Sequence, residues 1–514
     1  MQELIFGRSL YPAARWRADA VALREDGFTS TFAEHISRVE RAARSITSLV
    51  GNSQERFAVL SLNSHEYVEL WHAAMLGGGV IVPLNYRLSA AEVAGLVADS
   101  GARVVFVDEA SRALWQEASE LIRDSGIQVV GLRWSADGVP DYESLIASEA
   151  DGRLPEPDET DLLSLMYTGG TTGRAKGVMT SHRNAVLNMY HQMDVHRPGA
   201  QTVYLHQSPI FHAAAMWGLM GPTAGGGQQV VLSKFTPTAV VETVERYGVT
   251  DTQMGPTMVG MLLDECGDQI GRIGSLRQLV YGTAPMPQGT IDRLVRDLPE
   301  LSLLHGYGMT ESTSAVSFLR WDELLADRSL IPTAGRPLTG VTVTIQDAAG
   351  ETLPPNTDGE ICVRAGNVAD GYWNRPDETA AAFRDGWYRT GDLGRMDERG
   401  YLTIVDRIKD MIISGGENVY SVEVESAIST HPGVAQVAVV GVPHEKWGEQ
   451  VHAVVVPHEG VELDEADLEK HTRTQIAGYK VPKAWTIRTD PLPVSGAMKI
   501  LKRDIRASLR CRRP

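Results

Sequence analysis

The chain has 514 residues, too many for a single hydrophobic core, so two or more domains are expected. Hydrophobic residues make up 43% and charged residues 22%, the balance of an ordinary soluble globular protein. A formal net charge of -17 argues against nucleic acid or an anionic membrane as the main partner, because both attract a basic face. Cys266, Cys362 and Cys511 lie far apart, with no CxxC pair or Cys/His cluster, so neither a zinc site nor a disulfide framework is read and a reducing cytoplasm is expected. The first residues lack a basic region followed by an apolar core, so no signal peptide is read.

Residues 1–150 alternate between helical and strand patterns. Thr31–Phe32–Ala33–Glu34 opens an amphipathic helix. Phe57–Leu62, Val80–Leu84 and Val104–Val107 read as strands separated by helices, the pattern of a doubly wound parallel sheet. Leu162–Met166 is a further apolar run of strand length. It leads into Tyr167-Thr168-Gly169-Gly170-Thr171-Thr172-Gly173-Arg174-Ala175-Lys176-Gly177, and Thr180 or Ser181 then caps a helix. Strand, Gly/Thr loop and helix is a way to build an anion cradle, since glycines let backbone N–H groups converge and a lysine adds charge. The loop is not the common P-loop, because Arg174 and Ala175 separate Gly173 from Lys176; a plain surface turn is the alternative.

From Pro198 to Ser233 there is no Asp, Glu, Lys or Arg. Histidines, prolines, glutamines and a glycine run interrupt this stretch, so it reads as buried strand and pocket wall and no integral membrane segment is expected. Two later strands end in loops, Gly282-Thr283-Ala284 and Gly306-Tyr307-Gly308-Met309-Thr310-Glu311. In parallel sheets such strand ends converge on a ligand crevice. Residues 330–405 carry short strands with glycine turns, read as an antiparallel barrel or small sheet. A smaller α/β pattern begins after residue 410.

The Gly/Thr loop, the Gly306–Glu311 loop, Tyr388-Arg389-Thr390-Gly391-Asp392, Asp406-Arg407-Ile408-Lys409-Asp410 and Lys499 occur in this order. Together they resemble the adenylate-forming (AMP-binding) superfamily of acyl-CoA synthetases, luciferases and peptide-synthetase adenylation domains. Within it they resemble the fatty-acid–CoA ligase and 4-coumarate–CoA ligase-like branch. The resemblance covers nearly the whole chain. It implies an α/β fold with a large N-terminal domain over 1–405, holding two doubly wound parallel-sheet subdomains and a small β-barrel. It further implies a hinge at 406–410 and a small mobile α+β lid domain over 411–514.

The implied activity is ATP-dependent, AMP-forming ligation of a carboxylic acid to coenzyme A, through an acyl-adenylate and with release of pyrophosphate. Thr168, Gly169, Gly170, Thr171, Thr172, Gly173 and Lys176 would hold the β- and γ-phosphates. Thr310 would contact the α-phosphate, and Glu311 with Thr168 would hold Mg²⁺. Tyr307, between Gly306, Gly308 and Met309, would face adenine. Asp392, with Arg407, would receive the ribose. Lys499 would be the catalytic lysine. Lys409 would be the hinge residue, and Gly415 and Gly416 would approach the thiol arm of CoA, flanked by Trp447-Gly448-Glu449 and Lys480. Taken singly, Tyr307 as packing, Glu311 as a helix-terminal charge and Asp392 as an Asx-turn compete with these readings.

The sequence departs from the family pattern twice. Gly170 stands where many relatives have serine, and Met498 precedes Lys499 where glycine is usual, which keeps Lys502 as an alternative catalytic lysine. His212 resembles the family histidine beside the acyl group. Gly282, Thr283, Ala284, Gly306 and Ala315 would complete the acyl pocket. No charge stands at Ala213–Ala215, which favours a fatty or aromatic (cinnamic-type) acid over an amino acid. The chain ends without a carrier domain, which favours free CoA as acceptor. Transfer to a carrier protein, a non-catalytic nucleotide-binding role and a homodimer are left open.

Overall fold

The structure is a computed structural model, and it describes residues 4–147, 153–154, 156–168, 175–282, 284, 286–415, 417–444, 446–494 and 500–510. The chain packs into two compact units. One comprises Met1–Thr342 and Val363–Tyr388; the other comprises Val343–Cys362 and Arg389–Pro514.

The first unit contains two large sheets. A six-stranded sheet runs Gln128–Leu132, Val104–Asp108, Arg56–Leu60, Val80–Leu84, Leu162–Thr168, Lys176–Ser181. All its pairings are parallel except the last, which is antiparallel. The strand Val80–Leu84 is buried at every residue, as expected where helices cover both faces of a parallel sheet. A nine-stranded sheet has a parallel centre formed by Ser302–Tyr307, Gln278–Gly282, Asp251–Met254, Val203–His206, Gln228–Val231 and Val21–Glu25. The hairpin strand Phe28–Thr31 closes one edge, and Ser317–Leu319 with Arg336–Pro337 closes the other. The doubly wound pattern expected from the sequence is therefore present twice.

Local chemistry marks the helix boundaries. Thr31 and Glu34 form a reciprocal capping box on the helix Phe32–Val50, and Gly51 ends it in the left-handed region at φ 99°. The charge-free stretch supplies the strands Val203–His206 and Gln228–Val231 and the buried helix Met216–Gly225. Among the described residues no helix is long and apolar enough to cross a membrane.

In the second unit, Gly359–Arg364 lies between Thr342–Gln346 and the strand Trp387–Met396, on which Leu402–Arg407 pairs antiparallel. The segment expected to form a small β-barrel is thus a five-stranded sheet. A second five-stranded sheet is built on the long hairpin Val434–His444 and Gly448–Pro457. Ile412–Ser414 and Glu417–Val419 extend one side, and Ala484–Ile487 pairs parallel to the second hairpin strand.

The first unit also buries several histidines. Burial pushes His72, His182, His206 and His305 down to about 4 and His35 well below the ordinary value. Each folded-state value is depressed, so below pH ~6.5 the unfolded chain binds the additional protons. Stability is then lost as the pH falls from ~6.5 toward ~4, at up to about 1.4 kcal/mol per pH unit for each histidine. Calorimetric melting should show Tm falling steeply over that interval. A flat Tm would mean that the histidines accept protons in the folded state.

Candidate active site

The Gly/Thr loop is not followed directly by a helix. Leu162–Thr168 and Lys176–Ser181 form an antiparallel hairpin with Thr168 opposite Lys176, and only then does the helix His182–Val195 begin. This corrects the strand–loop–helix reading. The short run Lys176-Gly177-Val178-Met179-Thr180-Ser181 extends the sheet, so a helix N-terminus does not sit directly on the loop. Gly169, Gly170, Thr171, Thr172, Gly173 and Arg174 lie outside the described residues, as do Thr283, Gly416 and Lys499. Of the two proposed caps, Ser181 is the one used: its Oγ accepts the Asn184 N–H, and Asn184 Oδ1 accepts the Ser181 N–H.

Asn184 also holds a distant segment. Its side-chain amide donates to Gly366 O (2.8 Å) and Val368 O (3.0 Å). Asn367, between them, is buried and donates to Ser312 O (2.7 Å) and Ala315 O (2.8 Å), while its own carbonyl accepts from Thr313 Oγ1 (2.7 Å). The two asparagines thus tie the capped helix to the loop that carries Thr310 and Glu311. That loop is tight. Thr310–Ser312 is a single 3-10 turn, Thr313 and Ser314 have φ of 50° and 97°, and a Cβ on Gly308 would collide with the Ser314 carbonyl oxygen.

Residues 369–373 then run beside the hairpin. Met179 N–H donates to Gly371 O (3.0 Å) and Trp373 N–H to Gly177 O (2.8 Å), with Val178 bridged to Tyr372. Ala369 N–H donates to Glu311 O (2.8 Å). This places Tyr372 between two predicted site residues. Its hydroxyl donates to Glu311 Oε1 at 2.9 Å, and Lys176 Nζ stands 4.9 Å from the centre of its ring. Lys176 is ion-paired with Glu378, which also lies 3.8 Å from Arg375; Arg375 in turn bonds Asp99 (2.7 Å), which accepts from the Tyr167 hydroxyl (2.7 Å). Among the described residues Glu311 has no ion pair, so its negative charge stays available for a cation. Carboxylate oxygen is the donor type Mg²⁺ takes, and the site fits that ion.

The strand ends on the other sheet are crowded. Gly282 pairs with Gly306, and a Cβ on Gly282 would lie 2.5 Å from Gly306 O. A Cβ on Gly306 would lie 2.7 Å from the Phe318 ring. Phe318 stacks on the buried Trp217 at 4.9 Å. Tyr307, Met309 and Thr310 are half-buried, Ala284 is exposed and Ala315 is buried. His212 caps the turn Ala213–Ala215, its Nδ1 accepting the Ala214 N–H at 3.2 Å. That bond requires an unprotonated Nδ1, so a neutral His212 carries its proton on Nε2.

The remaining predicted residues belong to the second unit. Asp392 is buried and pairs with Arg407 at 2.8 Å across antiparallel strands. Thr390 Oγ1 accepts the Asp392 N–H (3.0 Å) and donates to Ile361 O (2.8 Å), which fixes the start of that strand. Lys409 follows in the turn Arg407–Asp410; desolvation first, then Arg407, lowers its pKa. Gly415, at φ 64°, donates its N–H to Trp447 O (2.9 Å), and Ser414 pairs with Gly448, so the two stretches expected to flank the CoA arm are neighbours. Lys480 is engaged by Glu423 at 2.6 Å.

Lys502, the alternative catalytic lysine, is engaged within the second unit. Its ammonium is held by Glu425 (2.7 Å) and by Ser421 Oγ (2.6 Å), and Ser421 in turn bonds the buried Asp406. The sequence reading missed Tyr372, Glu378, Asn184 and Asn367. Pro376-Asp377-Glu378 does signal a helix start, and Pro376–Ala382 is a helix. Nothing in its spacing, however, points to Lys176 two hundred residues earlier.

The model of the AMP-binding enzyme family matches residues 11–373, and that of the AMP-binding enzyme C-terminal domain matches residues 423–499. Feruloyl-CoA synthase from an Amycolatopsis species is 38% identical over 505 residues, covering 96% of each chain. Indoleacetate–CoA ligase from Aromatoleum aromaticum is 33% identical, covering 93% of this chain and 92% of that one. The crystal structure of ATP-bound MatB from Rhodopseudomonas palustris superposes with a TM-score of 0.89 at 30% identity, covering 99% of both chains.

Replacing Asn367 with alanine strands the Ser312 and Ala315 carbonyls. The variant should lose about 2–4 kcal/mol of unfolding free energy in urea titrations. An unchanged midpoint would show that these bonds do not hold the loop.

Proposed function

The chain belongs to the AMP-binding enzyme family, and on that premise we propose that it joins a carboxylic acid to coenzyme A in two steps. ATP and the acid first give an acyl-adenylate and pyrophosphate; the CoA thiol then displaces AMP. The observation that carries this reading is the constellation of Lys176, Tyr372 and Glu311, where one hydroxyphenyl ring joins a cation suited to phosphate to a carboxylate suited to Mg²⁺.

Both reactants of the first step are anions, so the site must offset their charge. Thr168 and Lys176, opposite each other at the base of the hairpin, hold the triphosphate with the loop between them. Thr310 contacts the α-phosphate, and Glu311, with Thr168, would hold Mg²⁺, which would offset charge on the phosphate oxygens. Tyr307 receives the adenine. Asp392 accepts the ribose hydroxyls, its carboxylate oriented by Arg407. Lys499 bridges the substrate carboxylate and the α-phosphate. The assignment to Lys499 is supported by the engagement of Lys502 with Glu425 and Ser421. Residues 406–410 are the hinge between a body over 1–405 and a lid over 411–514, and the Gly415 turn lines the thiol arm after rotation.

For the acid we propose an aryl acid of cinnamic type, in keeping with the names of two relatives, feruloyl-CoA synthase and indoleacetate–CoA ligase. The turn Ala213–Ala215 offers no partner for an ammonium group. Behind Gly306 stands the aromatic stack of Phe318 on Trp217. CoA-dependent AMP release, measured across aromatic, short-chain and long-chain acids, tests this. Preference for long-chain acids would overturn the substrate reading, and AMP release indifferent to CoA would overturn the acceptor.

Lys499→Ala should abolish carboxylate-dependent pyrophosphate release while leaving thioester formation from supplied acyl-adenylate largely intact. Unchanged pyrophosphate release would remove Lys499 from the first step. Glu378→Gln removes the internal competitor for Lys176, and ATP affinity should rise about two- to fivefold by calorimetric titration. A fall in affinity would mean that Glu378 supports the phosphate site rather than competing with the nucleotide.

A further inference from the structure

Tyr372 contacts both charged residues of the phosphate site, bonding Glu311 and underlying the Lys176 ammonium. Its placement is over-determined. The backbone on either side bonds to the hairpin strand through Gly371 O and Trp373 N, and Thr379 Oγ1 accepts the Tyr372 N–H at 3.0 Å. Gly371 has φ +134°, and a Cβ there would lie 2.5 Å from Thr379 Cγ2, so the turn that delivers Tyr372 depends on glycine. Phe383 packs on the ring in an edge contact at 5.6 Å. The buried phenol is a neutral hydroxyl that donates to Glu311 Oε1. Tyr388, also buried, hydrogen-bonds to the Tyr372 side chain. The result is a relay of two tyrosines ending on one carboxylate oxygen.

Resting on the reading of Glu311 as the Mg²⁺ carboxylate and Lys176 as a phosphate ligand, we propose that Tyr372 is the positioning residue of the metal–triphosphate site. Its hydroxyl orients the Glu311 carboxylate toward the cation, and its ring supports the Lys176 ammonium. A glutamate carboxylate turns freely about its last bond, and a hydrogen bond to one oxygen restricts that rotation before the metal arrives. Partners of this kind commonly change metal affinity about 10- to 100-fold when removed. The ring acts separately: a cation over an aromatic face is attracted by the ring quadrupole whether or not the hydroxyl is present.

The two functions separate in two variants, Tyr372→Phe and Tyr372→Leu. Calorimetric titration measures ATP affinity with Mn²⁺ and without divalent metal, in the absence of acid and CoA. In Tyr372→Phe the metal-dependent gain should shrink about 10- to 100-fold, with metal-free affinity unchanged. In Tyr372→Leu the metal-free affinity should fall as well. An unaltered gain in Tyr372→Phe overturns the proposal. An equal loss with and without metal also overturns it, by showing that the residue only braces the loop. If the unsubstituted protein shows no metal-dependent gain, the assignment of Glu311 fails instead, so the two failures are distinguishable.

Discussion

The backbone bridge between Val178 and Tyr372 is the constraint on which the site in the first unit depends. The Gly/Thr hairpin belongs to one sheet and the Thr310–Glu311 turn to the end of another. Neither sheet dictates the position of the other's loop. Residues 366–373 connect them with main-chain bonds to Met179, Gly177 and Glu311, and with the side chains of Asn184 and Asn367. Because most of these bonds involve backbone groups that would otherwise be left unpaired, breaking one has the cost of a stranded donor or acceptor.

Charge is distributed unevenly along that connection. Lys176 already has a partner in Glu378, whereas Glu311 receives only a neutral phenol among its described side-chain contacts. With side-chain exposures of 17% and 33%, the Lys176–Glu378 pair is partly screened by water and exchangeable for a stronger anion. The carboxylate, by contrast, retains its negative charge for a cation. This asymmetry suits the proposed binding of a polyanion together with a metal.

The second unit uses the same means for a different end. Asp406 accepts from Ser421, Ser421 accepts from Lys502, and Lys502 pairs with Glu425, whose pKa burial raises. These groups pin the helix Lys502–Arg510 and the helix Ser421–Ser429 to the strand that ends at Arg407. Asp392 faces Arg407 from the neighbouring antiparallel strand, so the carboxylate assigned to the ribose is oriented by the same rigid element.

The sequence alone determined what depends on neighbours along the chain. The parallel-sheet strands follow from continuous apolar runs, a helix cap at Thr180 or Ser181 from their position before a helix, and the family resemblance from motifs in fixed order. The hairpin after the Gly/Thr loop was misread because a six-residue strand with mixed polarity, Lys176–Ser181, gives no periodic signal distinct from a helix start. Tyr372, Glu378, Asn184 and Asn367 were invisible for a different reason. Each acts on a partner from 52 to 202 positions away, at separations set by sheet pairing and not by local spacing. Only the tertiary structure could decide that Lys502 is committed to Glu425 and that one tyrosine serves both Lys176 and Glu311, because those contacts exist only once separate segments have packed together.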